Sequence, residues 1–213
     1  MICRKYQCLF VHIPKAAGQS IEQYFLDLLG LDWSTRGELL MRQNHDPDKG
    51  PPRLAHLTAW EYLSLGYLSP RQFETWYKFG FVRNPWSRLV SEFNFQRYCD
   101  HVDFKTFVTQ YFPLPIHDDY ETGRDLYRHV LPQHLFVCDR QGRQIVDFIG
   151  RIESLQADFT VVCERLGLPI KPLPVVNVGP HKHYTEYYDD ETRAFVAKTY
   201  ARDISLFGYT FGD

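Results

Sequence analysis

Apolar residues in this chain gather in short unbroken runs, and between the runs they recur every three or four positions. That rhythm predicts buried strands alternating with helices packed on them. The run at 9–11 leads into a turn, after which Ile21, Tyr24, Phe25, Leu28 and Leu29 form the stripe of a helix over 21–29, stopped by Gly30. Residues 32–53 carry many charges and close on Gly50, Pro51 and Pro52, which predicts an irregular surface excursion. A short strand at 53–57 follows, then a helix capped by Thr58 and another capped by Ser69. Residues 76–82 read as a second buried strand. Asn84 as N-cap and Pro85 at the first helical position then start a helix running to about Tyr98, with Trp86, Leu89, Val90 and Phe93 on one face and Ser87 and Ser91 on another.

Further along, 104–112 predict a helix and 112–134 a long loop rich in Pro, Asp and Tyr. Residues 135–139 and 144–149 flank a turn like a hairpin or a pair of short strands. Helices over 154–166, ended by Gly167, and over 190–203, bearing Phe195, Val196 and Tyr200, complete the pattern. The expected fold class is α/β, with a mainly parallel central sheet flanked by helices, in a single domain over residues 1–213.

Composition narrows the partners. With 213 residues, 44% of them hydrophobic, the chain can bury a substantial core, and a net charge of −2 gives no global reason to expect nucleic acid or a membrane surface. No apolar run approaches the ~20 residues of a membrane span, and the one near the N-terminus is too short for a signal peptide. Five scattered cysteines without metal-ligand spacing fit unpaired thiols, and the expected location is cytoplasmic.

Candidate chemistry starts at Pro14, Lys15, Ala16, Ala17, Gly18, Gln19 and Ser20. A strand, a tight turn and a helix aim backbone N–H groups and the positive end of the helix dipole at one point, and Lys15 adds a full charge there. The lysine opens the loop and the serine closes it, unlike the GxxxxGK[ST] order of a Walker A loop. No aspartate ends an apolar strand to hold the Mg²⁺ a kinase needs, whereas a sulfo group carries one negative charge and moves without metal. Arg83 leaves a second strand, and Ser91, eight residues on, lies where a helix can bring both to one phosphate. Two anion sites on two parallel strands suit a ligand with two phosphates. Taken singly, an ordinary turn, a surface ion pair for Arg83 and a solvent-facing Ser91 stay open.

The stretches LFVHIPKAAGQSI (9–21) and GFVRNPWSRLVSEF (80–93) together resemble the cofactor motifs of PAPS-dependent carbohydrate sulfotransferases, in particular the group containing heparan sulfate 2-O-sulfotransferase. HLTAWEY (56–62), LPQHLF (131–136), DFIGRIESLQADF (147–159), LPVVN (173–177) and ARDISLFGYTF (201–211) are similar to family blocks in the same order. The resemblance implies a P-loop-like three-layer fold. It also implies 3′-phosphoadenosine 5′-phosphosulfate (PAPS) as donor, PAP as product, no metal, and a saccharide or glycoside hydroxyl as acceptor. The loop 15–20 would hold the 5′-phosphosulfate, Arg83 and Ser91 the 3′-phosphate, and His56 would be the general base of an in-line displacement, with Lys15 stabilising the leaving oxygen. Ala16 and Ala17 stand where the family usually has threonine and a second small residue, so backbone N–H groups must replace one hydroxyl.

His12 is expected to be a hydrogen-bonded core residue rather than a base. Lys182, beside a 177–180 loop that could close over the nucleotide, is a candidate third phosphate or ribose contact, and His181, Lys182 and His183 have too few spaced partners for a metal site. Arg151 and Glu153 are expected to pair with each other. The 112–134 loop is either a solvated surface or a cleft wall whose Arg124, Arg128 and His129 suit an anionic acceptor. Rival functions are a metal-dependent nucleotide kinase and a non-catalytic PAP-binding protein.

Overall fold

The computed structural model describes residues 1–174 and 182–213. Among these residues the strands are β1 (Ile2–Cys3), β2 (Cys8–Val11), β3 (Tyr77–Val82), β4 (Asp118–Asp119), β5 (Arg124–Asp125) and β6 (Phe148–Arg151). One sheet has the order β1-β2-β3-β6, and β4 and β5 form a separate antiparallel pair. β1 is antiparallel to β2, while β2, β3 and β6 run parallel, in a register that pairs Phe10 with Phe79 and Val82 with Arg151. The helices are α1 (Gly18–Leu29), α2 (Ala59–Ser64), α3 (Pro70–Thr75), α4 (Pro85–Phe95), α5 (Phe104–Gln110), α6 (Leu126–Val130), α7 (His134–Val137), α8 (Leu155–Leu166), α9 (Asp190–Thr199) and α10 (Ala201–Phe207). No helix among the described residues is long and apolar enough to cross a membrane.

Alternation along the strands decides which helices cover which face. Leu9 and Val11 pack with Tyr62 of α2, Phe136 of α7 and Phe207 of α10. Phe10, Phe79 and Phe81 point the other way, against Ile21 and Phe25 of α1 and Phe159 and Val162 of α8. The sheet is therefore covered on both faces, as its apolar strands require. A third cluster joins α4, α5 and α9 through Trp86, Leu89, Phe93, Phe107 and Val196. Caps match the sequence signals: Thr58 and Ser69 each form a capping box, Asn84 accepts from the Trp86 N–H, and Gly30 and Gly167 end their helices in left-handed conformation.

Several boundaries differ from the expectations. Residues 53–57 are not a strand. Leu54–His56 form a 3₁₀ turn, and Leu54 and Leu57 are buried by packing rather than by sheet pairing. α4 stops at Phe95, and Arg97 at φ 60° turns the chain into a second short turn over Tyr98–Asp100. The proposed 135–149 hairpin reduces to a single bridge between Cys138 and Gln144, because 134–137 are helical and β6 begins only at Phe148. The last helix is two, broken at Tyr200, whose side chain donates to Val130 O. The 112–134 stretch is not one loop, since it contains β4, β5 and α6. Of 32–53, much is irregular, yet Leu39, Met41 and Asn44 are buried. The 177–180 loop, His181 and the end of the 173–177 block lie outside the described residues. All five cysteines are unpaired thiols.

Candidate functional site

Because β2, β3 and β6 are parallel, their carboxyl ends open at one edge, where ligands of such sheets bind. The chain leaving β2 makes a tight turn. Lys15 (φ 66°) and Ala17 (φ 61°) are both left-handed, a conformation that costs a non-glycine residue about 1–3 kcal/mol and tends to be kept where it positions something. The N–H groups of Ala16, Ser20 and Ile21 donate to Ile13 O and Ala17 O, while those of Lys15, Ala17 and Gly18 have no protein acceptor among the described residues. Gly18 has a packing reason too, since a Cβ there would run into the His12 ring. Arg88, fully buried in α4, fixes the loop by donating from Nε to Pro14 O (2.9 Å).

Lys15 extends onto the Phe95 ring, with Nζ 3.5 Å from its centroid. Burial pushes its pKa down to about 8, with Glu92 pulling the other way and Arg83 and Arg88 adding to the drop. Arg83 sits alongside. Its NH1 donates to Lys15 O (3.4 Å), so the two motifs meet at this point, and Nε donates to the Ser87 hydroxyl (2.9 Å). Its backbone is clamped by Gln133, which accepts from Arg83 N and donates to Arg83 O. Ser87, rather than Ser91, is thus the serine touching Arg83. Ser91 lies one turn further along α4, half-buried, its hydroxyl without a protein partner among the described residues. Ala16 and Ser20 are buried in the loop and first turn, and Gln19 lines the cleft described below. Lys182 is exposed, and no contact among the described residues joins it to the others.

His56 occupies the centre of a buried chain of imidazoles and carboxylates. Its Nδ1 lies 2.5 Å from Asp125 Oδ2, and the ring meets His12 and His129 edge-on at 4.7 and 5.0 Å. His12 Nδ1 bonds Glu22 (2.6 Å) and His129 Nδ1 bonds Glu92 (2.8 Å), so His12 is a core residue as expected. Burial pushes the His56 pKa down to about 4, against the pull of Asp125, leaving a neutral imidazole at physiological pH. For His129 burial works the same way, but Glu92 and Asp125 outweigh it and raise the pKa. Burial would raise Asp125; His56, His129 and Arg53 together hold it below the usual carboxylate range. Glu92 Oε1 is the one buried side-chain oxygen without a partner among the described residues. His56, Asp125 and His129 bring one ligand atom each within 4.8 Å, near enough to hold a cation, although each imidazole already has its Nδ1 on a carboxylate.

A cleft of about 370 Å³ opens beside His12 and His56 and reaches Gln19 of the loop; its far wall includes Trp33, Arg36, Arg42 and Arg53. The cleft wall therefore comes from the 32–53 excursion, not from 112–134. Arg128 is committed to a two-pronged bond with Glu61 (3.1 and 2.9 Å), Arg124 is exposed, and His129 faces inward. Arg151 and Glu153 do not pair. Glu153 accepts from Asn84 N and the Tyr209 hydroxyl, and Arg151 donates to Phe207 O, because both side chains cross to the C-terminal segment. Asp125, Glu92, Glu22 and Arg88 are not legible as site residues in the sequence, and His129, expected only as an acceptor contact on a cleft wall, is buried between Glu92 and Asp125. The available signal was charged residues on apolar helix stripes: Glu22 beside Ile21 and Phe25, and Glu92 beside Leu89 and Phe93.

Comparison with known proteins agrees with the motifs. Carbohydrate sulfotransferase 10 of Homo sapiens is 23% identical over 244 residues, covering 98% of this chain and 66% of its own length. The protein of that name from Gallus gallus is 23% identical over 248 residues, covering 100% and 66%. This chain thus spans just under two thirds of the length of these curated relatives. An uncharacterized protein of Archaeoglobus fulgidus is 31% identical over 131 residues, 60% of this chain and 97% of that one. No solved structure matches. The model of the sulfotransferase family matches residues 1–210, nearly the whole sequence, and the chain belongs to that family.

Proposed function

We propose that the protein transfers a sulfo group from PAPS to a saccharide hydroxyl, on a P-loop-like nucleotide fold. One observation carries this reading: the cleft beside the neutral His56 reaches Gln19, in the first turn of the helix that follows Lys15, so a donor held at that turn and an acceptor in the cleft would meet between them. The unpaired N–H groups of Lys15, Ala17 and Gly18 replace the hydroxyl the family usually supplies, and Gln19 and Ser20 complete the cradle for the 5′-phosphosulfate. Arg83, with Ser87 already on its Nε and Ser91 a turn beyond, is suited to the 3′-phosphate. His56 takes the hydroxyl proton as the acceptor oxygen attacks sulfur in line with the departing phosphate, and Lys15 stabilises the charge growing on that bridging oxygen. No step requires a metal. Lys182 would add a ribose or phosphate contact from the nucleotide side.

The names of the relatives support a saccharide acceptor, and Trp33 with Arg36, Arg42 and Arg53 suits a sugar face carrying an anionic group. The test is transfer of radiolabelled sulfate from PAPS to pools of saccharide, lipid-linked sugar and peptide acceptors in EDTA, with mass spectrometry of the product. Labelled saccharide is expected. Labelled peptide tyrosine would overturn the acceptor, an absolute need for ATP and Mg²⁺ would favour the kinase, and tight PAP binding without transfer would leave a binding protein.

A further inference from the structure

We infer that Asp125 is the positioning residue of this site, holding His56 as the Nδ1–H tautomer so that Nε2 is the nitrogen available to the acceptor, while His129 balances the carboxylate's charge. The inference rests on the reading of His56 as general base. An ionised carboxylate only accepts hydrogen bonds, so the 2.5 Å contact from Asp125 Oδ2 requires a proton on His56 Nδ1. A neutral imidazole then has its lone pair on Nε2. Both partners are held from several sides. His56 ends a 3₁₀ turn, and Asp125 joins β5 to α6, whose approach is pinned by Arg53 Nε donating to Gly123 O (2.8 Å) and by Tyr127 N donating to Asp118 (2.8 Å). Neither side chain of the pair is more than 7% exposed.

Asp125 alone would stabilise the imidazolium of His56 and spoil it as a base. The second histidine prevents that. His129 faces Glu92 Oε2 through Nδ1 (2.8 Å) and Asp125 Oδ1 through Nε2 (3.5 Å), two acceptors on opposite sides, which is the environment of an imidazolium. Arg53 also lies 3.8 Å from Asp125 Oδ1. The groups facing His56 are therefore Asp125 from β5, His129 from α6, and His12 after β2 with Glu22 of α1 behind it. With the charge of Asp125 shared toward His129 and Arg53, the carboxylate orients His56 without protonating it, in keeping with the downward push of burial.

The test is Asp125→Asn. The amide oxygen stays toward the His129 imidazolium, the NH₂ turns to His56 Nδ1, and the tautomer inverts. Turnover should fall about 10²- to 10⁴-fold, the range of a lost general base, with PAP affinity unchanged and the imidazole ¹⁵N signals of His56 switching from the Nδ1–H to the Nε2–H pattern. Wild-type turnover in the variant, or lost turnover with the Nδ1–H pattern intact, overturns the inference. If the variant does not fold, the wild-type spectrum decides: Nδ1–H supports it and Nε2–H refutes it. A wild-type protein that transfers no sulfo group from PAPS defeats the proposed function, and the spectrum still judges the His56–Asp125 pair on its own.

Discussion

Measuring PAP affinity from about pH 6.5 to about pH 9.5, in wild type and in Lys15→Met, reads the titration of Lys15. The Lys15 ammonium lies on the Phe95 ring, and burial brings its pKa from 10.5 to about 8. Phosphates beside it favour the charged form, so bound nucleotide carries this value back upward. Below about pH 8 Lys15 is charged in both states and the affinity is flat. Above it, free protein must take up a proton to bind, and Kd weakens by up to about tenfold per pH unit until the bound-state pKa is reached. Full restoration to 10.5 corresponds to two or three powers of ten in affinity, about 3 kcal/mol. His56, at about 4, lies below this window, and the second ionisation of a phosphate monoester, near about 6, precedes it. Isothermal titration calorimetry of wild type and Lys15→Met reads the effect directly. A flat wild-type profile through about pH 9.5, or the same slope in Lys15→Met, refutes the placement of Lys15 against the nucleotide phosphates.

His56→Ala should lose about 10²- to 10⁴-fold in turnover while binding PAP normally. In wild type the acid limb of kcat/KM should lie near pH 4, where His56 becomes protonated, and a limb near the ordinary 6.5 would assign the base elsewhere. Arg83→Ala should weaken PAP binding more than it slows bound substrates, and an unchanged PAP Kd would remove Arg83 from the phosphate site. Gly18→Ala drives a methyl into the His12 ring, which Glu22 holds in place, and should cost about 1–3 kcal/mol in urea unfolding. A variant as stable as wild type would show that His12 moves aside freely.

Local rules made the Lys15 and Arg83 turns legible. The β2–α1 and β3–α4 turns depend on neighbouring residues: a run of apolar side chains, a cap, a proline at the first helical position and a glycine stop. Those signals also located Thr58, Ser69, Asn84, Gly30 and Gly167. The surroundings of His56 escaped because they are assembled from distant segments. Residues 53–57 read as a short strand, but Arg53 bonds Gly123 and His56 bonds Asp125, so tertiary contacts shape this stretch as a turn. Asp125 and His129 lie four apart on what reads as polar loop, and nothing in their spacing reveals that both are buried. Glu22 and Glu92 interrupt apolar stripes, and each turns out to bond a buried histidine. Ser87 and Ser91 share one helix face; the spacing from Arg83 and the resemblance point to Ser91, whereas the guanidinium reaches the nearer Ser87.

The excursion between α1 and α2 divides labour within the protein. Asn44 staples it from inside, its amide donating to Asp46 O, Gly50 O and Pro51 O, and a single bridge joins Gln43 to Arg53. Trp33, Arg36 and Arg42 ride on this staple, outside the sheet and outside the loop that carries Lys15. Substitutions at these three positions alter the cleft wall without disturbing strand pairing or the β2–α1 and β3–α4 turns. On the proposed function, evolution can therefore exchange the acceptor while inheriting the donor site, and an engineer seeking new acceptor selectivity has a replaceable cassette already bounded by the molecule itself.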